Sequence, residues 1–177
     1  DVADFCNVDP RLGSLADFVD FVQEADERGM RVIIGLVFNH TSDQHPWFQA
    51  ARSDPESPYR EYYVWRTDDP GGTSDQVVFP GIQKGIWTFD KQAKAWYLHH
   101  FYDFQPDLNM TNSAVREELR KAMGLWIQLG AAGFRIDAAP FIINTEGVDL
   151  PDTVRDPHQY LKDMRDFLQH RRGDAIF

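Results

Sequence analysis

The stretch GFRIDAAPF, residues 133–141, decides the fold: it sets Arg135 and Asp137 two apart inside a run that otherwise reads as a buried strand. Side chains two apart on a strand leave from the same face. Asp137 is the last strand-like residue before AAPF, which places it at the C-terminal end of the strand, and Arg135 beside it favours the ionised carboxylate. Taken alone, R-x-D reads best as a structural ion pair, since buried charges are usually paired whatever their role. The functional reading gains its weight from what flanks the pair.

Just upstream, NSAVREELRKAMGLWIQLG (residues 112–130) puts Val115, Leu119, Ala122, Met123 and Trp126 on one helical face, with Asn112 or Ser113 as cap and Gly130 as stop. The same logic appears earlier in SLADFVDFVQEADERG (residues 14–29). There Leu15, Phe18, Val19, Val22 and Ala25 form the apolar face, Ser14 caps and Gly29 ends the helix. It runs directly into MRVIIGLVF (residues 30–38), a continuous apolar run of the kind found in parallel strands covered on both faces. Downstream, a helix is expected from about Pro157 through Arg171 with Tyr160, Leu161, Met164, Phe167 and Leu168 inward, and DAIF opens a further strand. Helices and strands alternating in this order predict a parallel α/β fold with right-handed crossovers.

One connection is out of scale. Residues from about 41 to about 111 separate the first strand from the next helix, where α/β units use roughly 2–6. The runs YYVW, VVF, IWTF and WYLHHF predict a small irregular β-rich unit packed on aromatics. In a (β/α)8 barrel such an excursion leaves the C-terminal end of a strand and sits over the active-site face. Asn39 and His40 close the first strand at that same end. A histidine there is as often a hydrogen-bonded structural residue as a functional one, and QPDLN (residues 105–109) alone reads as a proline turn with an Asx cap.

Composition narrows the function. The 177 residues are 42% hydrophobic and 14% aromatic, enough for a packed core and not a disordered chain. A net charge of −10 without Lys/Arg clusters excludes a nucleic-acid partner. Cys6, the single cysteine, has no disulfide mate, and no apolar run approaches the ~20 residues of a membrane span. A cytoplasmic location is expected and no membrane partner. The opening DVADF without methionine and the close GDAIF in mid-pattern predict a piece of a longer protein.

VFNHTS, QPDLN and GFRIDAAPF, in this order, resemble the α-amylase family, glycoside hydrolase family 13, with its domain B between the first two. DVADF…VDPRLGSLADF is similar to the passage after the family's second barrel strand. The resemblance implies a division into residues 1–40 (end of strand 2, helix 2, strand 3), 41–104 (domain B) and 105–177 (helix 3, strand 4, helix 4, start of strand 5). It also implies a retaining mechanism on α-glucosidic bonds. Asp137 is then the nucleophile, Arg135 orients it, and His40 binds a sugar hydroxyl in subsite −1. The acid/base glutamate is expected on the strand that GDAIF enters, so residues 1–177 alone are expected to be inactive.

The glutamine of QPDLN is similar to the oligosaccharide-active subgroup of oligo-1,6-glucosidase, α-glucosidase and trehalose synthase. WTFD, HHFYDFQPDLN and DAAPF look most like the trehalose synthase branch. By that resemblance Phe79, Phe101 and Gln105 line the glucose pocket, Asp1 contacts the terminal glucose, and the partner is maltose, trehalose or another α-glucoside. Ala138 stands where members selective for α-1,6 bonds carry valine. Calcium is implied between barrel and domain B, held by Asn39 and Asp107 side chains, main-chain oxygens of Phe141 and Ile142, and an oxygen of Asn144; no organic cofactor is. One departure is Gly35, which stands where the family has an aspartate facing Arg135. The absence of that aspartate leaves Arg135 less well held; separately, a non-catalytic homologue with an interaction role is the alternative, and a barrel of other chemistry a third.

Overall fold

The computed structural model describes residues 1–142 and 158–177. Helix α1 (Leu15–Glu27) starts in a capping box: the Ser14 hydroxyl accepts from Asp17 N–H, and the Asp17 carboxylate accepts from Ser14 N–H. The chain turns at Gly29, whose φ of +71° suits a residue without a Cβ, into strand β1 (Ile33–Leu36). Helix α3 (Ser113–Gln128) is capped by Asn112, which accepts from Ala114 N–H, and leads to strand β5 (Gly133–Ile136). Strands β1 and β5 pair in parallel, with Ile33 opposite Gly133 and Gly35 opposite Arg135. After helix α5 (Gln159–Arg171), Ile176 bridges in parallel to Gly133. Only glycine admits that third chain, because a Cβ at 133 would lie 2.1 Å from the Ile176 carbonyl oxygen.

The chain is thus a segment of a (β/α)8 barrel, with its helices on one face of the sheet. Val115, Leu119, Ala122 and Met123 of α3 pack with Leu36, Phe38, Phe134, Met164 and Leu168 in one core. The described residues leave the other face uncovered: Ile33 is 45% exposed. A strand covered on both faces, expected from the unbroken apolar run, is therefore covered on one here. That strand is also shorter than residues 30–38. Past Leu36 the backbone turns to the insertion, with Asn39 O accepting from Leu108 N–H and His40 bridging Asp107.

The insertion is less β-rich than its sequence suggested. It opens with helix α2 (Pro46–Ser53), whose Trp47 N–H donates to His45 Nδ1 and whose first position is proline. A 3₁₀ turn (Arg60–Tyr62) follows, and then an antiparallel sheet of β2 (Trp65–Arg66), β4 (Ala95–Leu98) and β3 (Trp87–Asp90), in that order across the sheet. Val77, Val78 and Phe79 form no strand. Phe48 stacks on Trp65 at 5.6 Å and meets Tyr63 and Tyr97 edge-on at 5.0 and 5.2 Å. Phe48, Tyr62, Tyr63 and Tyr97 belong to the same buried cluster as Leu36, Phe38 and Phe134, so insertion and barrel share an interior. Among the described residues no helix is long and apolar enough to cross a membrane.

Candidate active site

Asp137 leaves the end of β5, and Ala138 follows in a left-handed conformation (φ +55°) that swings the chain into the short helix α4 (Ala139–Ile142). Arg135 Nη2 donates to Asp137 Oδ1 at 2.9 Å. The pair is not buried as the sequence suggested: the side chains are 72% and 52% exposed. Both stand on the face of the sheet that the described residues leave uncovered. Gly35 lies across the ladder from Arg135, and a Cβ there would meet nothing within 4 Å, so a side chain's worth of space is open beside the guanidinium.

His40 occupies the same end of β1 but is 8% exposed. Burial holds its imidazole below the ordinary value, while the negative charges of Asp107 and Asp137 pull it back up. Its ring packs 5.3 Å from Phe101. Phe101 in turn lies 6.3 Å from Phe79, which stacks on Tyr102 at 5.1 Å. Gln105 Nε2 donates to Asp1 Oδ1 at 2.5 Å, and its Oε1 accepts from Tyr102 N–H. Five residues named from the sequence, His40, Phe79, Phe101, Gln105 and Asp1, are therefore connected through packing and hydrogen bonds around the aromatic wall. Phe141, 5.0 Å from Phe101, joins that wall to the Asp137 turn.

Two participants escaped the sequence reading. Gln83 accepts from Phe79 N–H at 2.7 Å and donates to the carbonyls of His100 and Phe101, tying the loop that carries Phe79 to the segment that carries Phe101. His100 donates its Nδ1–H to Asp107 Oδ2. No motif announces either residue. A cavity of about 580 Å³ lies within the insertion, lined by Trp87, Phe89, Trp96 and Tyr102. It is set apart from the Arg135 and Asp137 pair, which does not line it.

Asn39 and Asp107, both expected at a calcium ion, are 2% and 3% exposed. Asp107 Oδ1 accepts from Asn39 Nδ2 at 2.9 Å and from His100 N–H at 3.2 Å, and Oδ2 accepts from the His100 ring. Calcium requires oxygen lone pairs. Here Asn39 turns its N–H toward the carboxylate, as the charge of the carboxylate demands, and three donors already serve Asp107. The described residues do not fit a calcium shell, and among them no group of three or more His, Cys, Asp or Glu suits a metal. Asn144 lies outside the described residues.

A carboxylate, a guanidinium and an imidazole gather at neighbouring parallel strand ends beneath an aromatic insertion, the end at which (β/α)8 barrel enzymes place their active sites. Residues 1–176 match the family model "Alpha amylase, catalytic domain", and the chain belongs to the α-amylase family. It is 42% identical over 179 residues to a trehalose synthase of Pimelobacter sp. (strain R48), covering 99% of this chain and 30% of that protein. It is 34% identical over 170 residues to an oligo-1,6-glucosidase of Bacillus cereus, covering 95% and 30%. The structure superposes on the trehalose-6-phosphate hydrolase of Bacillus licheniformis with a TM-score of 0.86 at 31% identity, over 99% of this chain and 33% of that one. The chain thus spans about a third of the length of these relatives.

Proposed function

We propose that the protein carrying this chain is a retaining α-glucosidic enzyme of the oligosaccharide-active kind, interconverting maltose and trehalose or hydrolysing a related α-glucoside. The observation that carries the reading is the Asp137 carboxylate held at a strand end by Arg135 at 2.9 Å, with His40 at the end of the adjoining strand. The Asp137 oxygen attacks the anomeric carbon as the glucosidic C–O bond breaks, leaving a covalent glucosyl ester. The leaving oxygen takes a proton from a second carboxyl, which a retaining enzyme keeps about 5–5.5 Å from the nucleophile. The resemblance puts that group on the strand after β5. Water, or a hydroxyl of the released glucose, then attacks the ester and returns the proton. Which of the two enters separates hydrolysis from isomerisation.

Arg135 fixes the rotamer of Asp137 through its hydrogen bond. His40, kept neutral by burial, offers a ring nitrogen to a sugar hydroxyl, and Phe79 and Phe101 present rings to the apolar face of the glucose. Gln105 and Asp1 close the far end. The 42% identity to trehalose synthase supports the isomerising branch. Incubating the full-length protein with a 2-deoxy-2-fluoro glucosyl fluoride tests the reading. Peptide mass spectrometry is expected to find one added sugar on Asp137, and a sugar on any other residue refutes the assignment.

A further inference from the structure

The polar cluster where β1 meets the returning insertion is sealed. Asn39, His100 and Asp107 are 2%, 3% and 3% exposed. An ionised carboxylate buried this deeply needs paired donors or a cation. Asp107 has three N–H donors, two of them from one residue: the backbone and the ring of His100. Because a carboxylate only accepts, the proton of this contact belongs on His100 Nδ1. Nε2 is then buried without a hydrogen-bond partner among the described residues, so the polar work of the ring lies on its Nδ1 edge.

Two routes run from that ring to His40. One is polar: His100 to Asp107, Asp107 to Asn39, and Asn39 to the neighbouring His40, whose Nδ1 lies 3.4 Å from Asn39 Nδ2. The other is aromatic: His100 packs on Phe141 at 5.1 Å, Phe141 on Phe101 at 5.0 Å, and Phe101 on His40 at 5.3 Å. Phe141 sits in α4, four residues beyond Asp137, so the same ring also touches the turn that aims the nucleophile.

We propose that His100 occupies the place of a junction cation: its imidazole clamps Asp107, joins β1, the insertion and α4, and positions His40 without calcium. His100 is a positioning residue, since it acts through Asp107 and Phe141. The kinetic part of the proposal rests on the glycosidic reading above; its metal and stability parts do not.

The test uses the full-length protein, its His100→Leu variant and its His100→Asn variant, in which Asn Nδ2 stands where His Nδ1 stood. Wild type is expected to purify with substoichiometric calcium by plasma mass spectrometry, and its Tm should not move with calcium chloride or with EDTA. His100→Leu strips the clamp and is expected to lose roughly 5–10 °C in Tm. Its kcat/KM for maltose should fall by about 10–100-fold, more in KM than in kcat. His100→Asn is expected to recover most of both. Stoichiometric calcium in wild type, or a Tm raised by calcium, overturns the proposal. So does a leucine variant indistinguishable from wild type, or an asparagine variant as damaged as the leucine one. Absence of any glucosidic turnover in wild type would sink the functional reading while leaving the metal and Tm outcomes decisive for the clamp.

Discussion

Two carboxylates, Asp107 where the insertion returns beside β1 and Asp137 at the end of β5, are treated in opposite ways. Among the described residues, Asp107 is 3% exposed and accepts three hydrogen bonds, whereas Asp137 is half exposed and takes one side-chain bond, from Arg135. Of the roughly four acceptor sites of a carboxylate, three are taken on the buried Asp107, whereas the described residues leave most of those on Asp137 free. The difference separates a group that holds the architecture from one left available for chemistry. It also places the energetic cost of mutation: removing a partner from a buried pair costs several kcal/mol, while exposed pairs contribute ~1 kcal/mol or less.

Asp137→Asn in the full-length protein breaks the comparison on the chemical side and carries the largest expected effect. Turnover should fall by about four orders of magnitude with the Tm nearly unchanged, because asparagine keeps the size of the side chain and an oxygen that can accept from Arg135. Activity assays beside a melting curve check both halves, and an active Asn variant would end the nucleophile assignment.

On the architectural side, Phe48→Ala removes a ring that is 1% exposed and contacts Tyr63, Trp65 and Tyr97. A loss of about 3–5 kcal/mol is expected from equilibrium denaturation. If the insertion and barrel truly share a core, one cooperative transition shifts as a whole; two separated transitions would show that they do not.

A smaller effect comes through pH. His45 is held down to about 4, from an ordinary 6.5, by burial, with Asp4 opposing. Its Nδ1 accepts from Trp47 N–H at the start of α2, and a protonated Nδ1 cannot accept. The unfolded chain therefore binds the proton first, and stability present above pH 6.5 is lost as pH falls toward about 4. His45→Asn keeps a capping acceptor without a titrating ring. Its Tm against pH should be flatter across that window, and an unchanged slope would clear His45 of the effect.

Gly35→Asp should have the smallest effect. Nothing within 4 Å obstructs the new side chain, and Arg135 stands directly across the ladder. Stabilisation of ~1 kcal/mol or less is expected at this open site. A large destabilisation would mean that the gap is filled in the full-length protein.

Much of this was legible in the sequence, and the limits have physical causes. Helices α1 and α3 were readable because 3.6-residue periodicity and a polar cap agree at both, down to Ser14 at α1, while at α3 the structure selects Asn112 over Ser113. The parallel pairing of β1 and β5 followed from the order of elements. Helix α2 was passed over because its eight residues give aromatic content more weight than period, although Pro46 after a capping-competent His45 was a start signal. The exposure of Arg135 and Asp137 depends on what stands opposite the sheet, which no local pattern records. His99 and His100 are adjacent, and their rings go separate ways: His99 Nε2 to Thr88 Oγ1 at 2.8 Å, His100 to Asp107. Choosing between them needs the register of β3 and β4, which the sequence pattern alone leaves free.

The shared interior has a consequence for recombination. A chimera that exchanges the insertion at its chain ends would sever Phe48, Tyr63 and Tyr97 from Phe38, Leu119 and Phe134, leaving each parent half a jigsaw. Crossovers are better placed inside the excursion, at the solvent-facing Gly71 and Gly72, where a foreign loop can enter without reopening the seam. New specificity in this scaffold is therefore most readily acquired by lengthening or replacing a loop within the insertion, and least readily by borrowing the insertion whole.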